Sequence, residues 1–268
     1  MPDLIASALA RFDLFLIDLW GVVWLGGECR PIDRSADFIR RIQASGKKYF
    51  FLSNTVWPET ELQARFKGMG VDVPLERFIT AGRVVSDRMD RYVPDWRTKR
   101  FIHVGRPWEP PAYFSRFNLV DDPAAAEVLI VGDYGGRPGE DPAPRNARIA
   151  QVLASGRQIT AMVCNPDRSN LQTDGSRRPQ AGQFMLDFAA THPQHTYHFI
   201  GKPHKPIYDY ALERAPGVPC DRIAMVGDTV ETDMHGADGA GIRKILVLVG
   251  NTATPPPGLN ADFVIEKY

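Results

Sequence analysis

The chain has 268 residues, 44% of them hydrophobic, which is enough to bury a sizeable core and to divide into one or two domains. Its 32 basic and 32 acidic side chains cancel, so no overall field draws it to nucleic acid or to an anionic membrane, and a small, locally recognised partner is expected. Cys29, Cys164 and Cys220 are too widely spaced for a zinc pair or redox CxxC, charges at Asp3, Arg11, Asp13 and Asp18 interrupt any apolar leader, and no segment approaches membrane-spanning length; reduced thiols and a cytoplasmic location are therefore expected.

Along the chain, short apolar runs close on a polar residue or glycine: LFLID (14–18), KYFFLSN (48–54), RFIHVG (100–105), EVLIVGD (127–133), QITAMVCNPD (158–167) and RIAMVGD (222–228). They read as buried strands. Amphipathic stretches lie between them, SADFIRRIQASG (35–46), ETELQARFKGMG (59–70), ARIAQVLASG (147–156) and KPIYDYALERA (205–215), with apolar spacing of three to four and glycine near several ends. Strand followed by helix, repeated, predicts an α/β fold with a doubly wound parallel sheet. The runs from about 100 to 167 alternate in the same way and are assigned to a separate α/β domain. Proline-rich GRPWEPP (105–111), GGRPGEDPAP (135–144) and TPPPG (254–258) mark loops, and a last short strand is expected at DFVIE (262–266).

In doubly wound sheets ligands bind beyond the carboxyl ends of the strands. That rule selects Asp18, Ser53, Asn54 and Asp228, each the first polar side chain after an apolar run. In VGDTVETDMHGADGAGI (226–242) Asp228 and Asp233 offer two carboxylates to a hard divalent cation such as magnesium, unless Asp228 only caps a helix and Asp233 is solvated. Lys202, stiffened by Pro203 and Pro206, could present a point charge to a phosphoryl oxygen or be an ordinary surface lysine. His192, His195 and His198 in THPQHTYHF (191–199) suggest a metal triad, but Pro193 opposes a continuous helix there and a strand returning to the core is expected next; the structural reading is preferred. GADGAGI (236–242) lacks the strand context of a dinucleotide fingerprint, and GDYGGRPG (132–139) is a loop that could face substrate or simply turn.

Taken together, DLWGV (18–22), FLSN (51–54), Lys202 in GKP and GDTVETD (227–233) resemble, in order and context, the four motifs of the haloacid dehalogenase superfamily, and specifically its subclass IIA, the NagD-like or nitrophenyl-phosphatase-like branch. The resemblance implies a Rossmann-like core from 1–80 and 200–268 with an inserted α/β cap from 81–199. It implies a magnesium-dependent phosphomonoester hydrolase of a small soluble metabolite, with Asp18 as nucleophile and Lys202 as its charge partner. Magnesium would be held by Asp18, the Trp20 backbone carbonyl and Asp228, with Asp233 orienting that shell or Lys202. Ser53 and Asn54 would hold phosphoryl oxygens. CNPD (164–167) is similar to the TNPD-type segment of NagD-like caps, which adds Asn165 and Asp167 as substrate contacts, although Asn-Pro-Asp is also ordinary turn chemistry.

One position departs from the family. Its phosphatases carry a second Asp two residues after the nucleophile to protonate the leaving group, and here that position is Trp20. An indole donates a hydrogen bond but does not exchange protons near neutral pH. Losing general acid–base help costs about 10²–10⁴ in rate, so the chain is expected to be slow, to prefer good leaving groups, or to use another acid such as His204 or Asp167. A binding protein derived from a phosphatase, or a dehalogenase, are the alternatives; the retained Asp18 opposes the first, and Asp228, Asp233 and Lys202 oppose the second.

Overall fold

The computed structural model describes residues 3–105, 112–134 and 141–268. The strand Leu14–Ile17 is apolar at every position and buried throughout. Such a strand needs cover on both faces, and its alternate side chains find two different cores. Phe15 and Ile17 join Phe12, Phe51, Phe66, Phe78, Val226 and Val247 on one side. Leu14 and Leu16 join Leu52, Met225, Ile207 and Tyr208 on the other, in a cluster that continues through Val84 and Met89 to Phe101, Phe114, Ile130 and Met162.

That strand is the centre of a six-stranded, all-parallel sheet ordered Phe263–Ile265, Arg243–Val247, Ile223–Gly227, Leu14–Ile17, Lys48–Ser53, Phe78–Thr80. From Leu14–Ile17 the chain first builds to one side, through Lys48–Ser53, and later returns to build on the other through Ile223–Gly227. The reversal opens a crevice at the carboxyl end of Leu14–Ile17. A second parallel sheet, ordered Thr196–Phe199, Thr160–Val163, Val128–Val131, Arg100–Val104, Asn118–Leu119, draws its strands from the intervening chain. Its outer side is filled by Ile102, Leu129, Val131, Ile149, Val152, Val163 and Met185. The α/β architecture expected from the alternating runs is thus present in both sheets.

The helices follow from their spacing. Ser35–Ala44 buries Phe38, Ile39 and Ile42 on one face. Glu59–Gly68 buries Leu62 and Phe66 one turn apart, with Glu59 and Glu61 in its first turn and Arg65 and Lys67 in its last, which suits the helix dipole. Several strands were not anticipated, and three of them show why. Phe78–Thr80 is too short to show a period, Arg243–Val247 begins on two basic residues, and Thr196–Phe199 is only half-buried. The last of these corrects the expectation that 191–199 precedes a strand of the core, because Thr196–Phe199 is itself the edge of the second sheet, paired with Thr160–Val163.

The histidine run does not build a metal site. His195 is buried, its Nδ1 accepting the Ile159 N–H (3.2 Å) and its Nε2 lying 3.0 Å from the Leu153 carbonyl. His192 stacks on it, while His198 turns to Tyr92. The proline-rich loops at 106–111 and 135–140, with most of GDYGGRPG, lie outside the described residues.

Candidate active site

Asp18, Ser53 and Asp228 stand at or just beyond the carboxyl ends of three adjacent strands of the first sheet. Asp18 prolongs its strand by donating its N–H to the Val226 carbonyl (2.9 Å). Lys202 Nζ reaches Asp18 Oδ1 at 2.6 Å and Asp233 Oδ1 at 2.7 Å, and all three groups are buried. Asp233 Oδ2 accepts the Thr229 N–H (3.0 Å), so both of its oxygens are engaged. Asp228 accepts the Asn251 N–H, the Asn251 amide (2.8 Å) and the Thr229 hydroxyl (3.2 Å). Gly21 has φ +90°, and a Cβ there would overlap the Asp228 carboxylate; glycine lets the backbone pass against the acid.

Ligand oxygens of Asp18, Asp228 and Asp233 lie within 4.8 Å of one another, the metal-capable cluster found among the described residues. Three buried carboxylates face one ammonium. Burial pushes Asp18 well above the usual carboxylate range, opposed by Lys202 and reinforced by Asp233 and Asp228. Asp228 is pushed up to about 7 by burial and then by Asp233. Burial alone would lower Lys202, but Asp18 and Asp233 outweigh it and hold the lysine above its ordinary value, hence charged. A site with this excess of negative charge and oxygen donors fits a hard divalent cation. The Trp20 carbonyl, beside the cluster, accepts no backbone hydrogen bond among the described residues.

The Trp20 side chain turns to packing. Its Nε1–H donates to the Gly26 carbonyl (3.2 Å), and its ring meets Trp24 and Trp57 edge-on, with centroids 5.7 and 5.4 Å away. Trp57 carries the Arg65 guanidinium over its face. Trp20 and Trp57 form one wall of a cavity of about 1330 Å³ between the sheets, which Asp18, Ser53, Asn54, Asn165, Asp167 and Lys202 also line.

The remaining expected contacts are committed to one another. The Asn54 side chain accepts the Lys202 N–H (2.6 Å), donates to the Lys202 carbonyl (3.0 Å) and donates to Asp167 Oδ1 (2.9 Å). Both of its amide hydrogens are used by these partners. Ser53 Oγ lies under the Thr55 N–H (3.4 Å). Asn165 Oδ1 accepts the Asp167 N–H (2.9 Å), the side-chain turn that Asn-Pro-Asp favours, and its amide donates to Asp133 (2.7 Å).

Asp133 is a site residue that sequence reasoning passed over. It accepts the Thr55 hydroxyl (2.7 Å), the Val56 N–H (3.3 Å) and the Asn165 amide, tying the end of Lys48–Ser53 to the second sheet. The signal was available, because Asp133 closes EVLIVGD as Asp18 closes LFLID. Asn251 and Thr229 had no comparable signal. TPPPG, noted only as a loop, contributes Thr254, Pro256 and Gly258 to the cavity rim.

The family described as haloacid dehalogenase-like hydrolase matches residues 15–107, and a second, HAD-hydrolase-like, matches residues 199–267. The two matches carry the strands that hold Asp18, Ser53 and Asp228. The chain belongs to the haloacid dehalogenase-like hydrolases. This hydrolase is 26% identical to rat (Rattus norvegicus) chronophin over 255 residues, covering 88% of this chain and 76% of that one. It is 26% identical over 256 residues to a dihydroxyacetone phosphatase of Corynebacterium glutamicum, covering 95% and 84%. Among solved structures it is similar to a 4-nitrophenylphosphatase from Thermotoga maritima, with TM-score 0.73, 26% identity and 97% and 96% coverage. The hydrolase is thus of the phosphatase type and NagD-like.

Proposed function

We propose that this hydrolase is a magnesium-dependent phosphomonoesterase that acts on a small phosphorylated metabolite through an aspartyl phosphate on Asp18. The observation that carries the reading is the Lys202 ammonium held between Asp18 and Asp233 in a buried pocket, with Asp228 beside them. Asp18 attacks phosphorus and the ester oxygen leaves. Lys202 neutralises the phosphoryl oxygens and keeps the approaching anion from being repelled by the three carboxylates. Asp233, hydrogen-bonded to Lys202 and Thr229, aims the lysine, and Asn54 grips its backbone. Ser53 stands beside the phosphoryl position. Asp18, Asp228 and the Trp20 carbonyl would hold magnesium, which when bound supplies further neutralisation of the transferred group.

The proposed division is a core of 1–80 with 200–268 and a cap of 81–199, with Asn165 and Asp167 presented from the cap side of the cavity. No described helix is long and apolar enough to cross a membrane, and none of the three cysteines forms a disulfide, which suits a reducing compartment such as the cytoplasm. A panel of phosphate esters, assayed with and without magnesium for the parent and for Asp18→Asn, tests the function. Phosphate release that requires both magnesium and Asp18 is expected. Tight binding of phosphorylated ligands with no release by the parent would make the chain a binding protein instead.

A further inference from the structure

An alkoxide is a poor leaving group, so phosphoryl transfer to Asp18 needs a proton donor, and hydrolysis of the aspartyl phosphate then needs a base. Trp20, at the position where the family keeps a carboxylate, serves neither need, because its N–H is spent on the Gly26 carbonyl and its ring is packed between Trp24 and Trp57. Among the titratable groups lining the cavity, Asp133 already accepts from three donors, on both of its oxygens. Glu231 and His235 are exposed at the rim. His204 packs on Phe199, burial disfavours its charged form, and no hydrogen bond among the described residues ties its ring to Asp18, Asn54 or Lys202.

Asp167 is different. One hydrogen bond, from Asn54, reaches its Oδ1, and no described residue donates to Oδ2. Its backbone is fixed on both sides, the N–H by Asn165 and the carbonyl by the Gly182 N–H (3.0 Å); a Cβ at Gly182 would overlap both carbonyls of the Pro166–Asp167 segment. Asn54 links it to Lys202, and Lys202 touches Asp18, so donor and nucleophile sit in one hydrogen-bonded chain at one cavity.

We propose that Asp167 is the acid and base of this hydrolase, a role that rests on the phosphatase reading above. As the Asp18–phosphorus bond forms and the ester P–O bond breaks, the Asp167 carboxyl gives its proton to the departing oxygen, which leaves as an alcohol. The Asp167 carboxylate then takes a proton from the water that attacks phosphorus, Asp18 is released as carboxylate, and inorganic phosphate departs. The charges around Asp167 suit both roles. Burial raises its pKa, Lys202 and the Asn54 hydrogen bond lower it, Asp233 and Asp133 raise it, and the balance is about 6, close enough to neutrality to hold and to lose a proton.

The test is Asp167→Asn, which keeps the shape and the acceptor for Asn54. With glycerol phosphate, kcat/KM is expected to fall about 10²–10⁴-fold. With 4-nitrophenyl phosphate, whose leaving group needs no proton, kcat/KM should stay close to the parent's. The same substrate should now give a burst of nitrophenolate equal to the enzyme present, because the phosphoenzyme lacks its base. In the parent, kcat/KM for glycerol phosphate should decline as pH rises through about 6 and the donor form is lost, and the variant should lack that limb. An equal fall for both substrates without a burst overturns the role, as does a parent that hydrolyses the aryl ester alone. Phosphate release that survives in Asp18→Asn would instead remove the phosphatase reading itself.

Discussion

Trp20→Ala measures what the indole does at a position where chemistry would favour an acid. The substitution removes two edge-to-face contacts, with Trp24 and Trp57, and the hydrogen bond to the Gly26 carbonyl. At about 0.5–1.5 kcal/mol for each aromatic pair and a similar amount for the hydrogen bond, the loss should be roughly 2–4 kcal/mol. The ring is only part-buried, so the value should lie below the top of the ~3–5 kcal/mol range for a fully buried Trp→Ala. Urea unfolding of the parent, Trp20→Ala, Trp57→Ala and the double variant closes a cycle, in which a Trp20–Trp57 coupling of about 0.5–1.5 kcal/mol is expected. Trp20→Phe keeps an aromatic edge and loses the N–H, so it should cost about 1 kcal/mol. A coupling below about 0.3 kcal/mol would refute the packed-wall account, since contacting rings cannot then be sharing their burial.

Two further outcomes follow from the site and its surroundings. In calorimetric titrations with magnesium, Asp233→Ala should weaken binding about 10–100-fold, as expected of a group that orients Lys202 and the ligand shell, and Asp228→Ala should weaken it more; equal losses would put both acids on the ion. His195→Phe should leave magnesium affinity and turnover unchanged while costing about 1–3 kcal/mol in denaturant unfolding, because the buried Ile159 N–H loses its acceptor. A change in metal affinity there would revive the histidine run as a ligand site.

What the chain alone determined is the set of residues that end its buried strands. A polar side chain that closes an apolar run must emerge at a strand's carboxyl end, and in a parallel sheet those ends share one side, so Asp18, Ser53, Asn54 and Asp228 could be gathered from spacing and composition. The same rule reached Asp133 in principle, but no local signal says that the second sheet will set it against Thr55. Strand order was equally invisible, because Phe78–Thr80 is three residues long and Thr196–Phe199 is half-buried, too little to display a period of two. Side-chain commitments belong to tertiary structure as well. Asn54 carries the right chemistry to hold a phosphoryl group, yet its amide hydrogens go to the Lys202 carbonyl and to Asp167, partners 148 and 113 residues away. Sequence could say that Trp20 is not an acid; only the folded chain shows its indole closed between Trp24 and Trp57 and leaves Asp167, brought in from the other sheet, with a carboxylate oxygen that has no donor among the described residues. Residue type sets what a group can do, whereas hydrogen bonds between distant segments decide which of those capacities remain free.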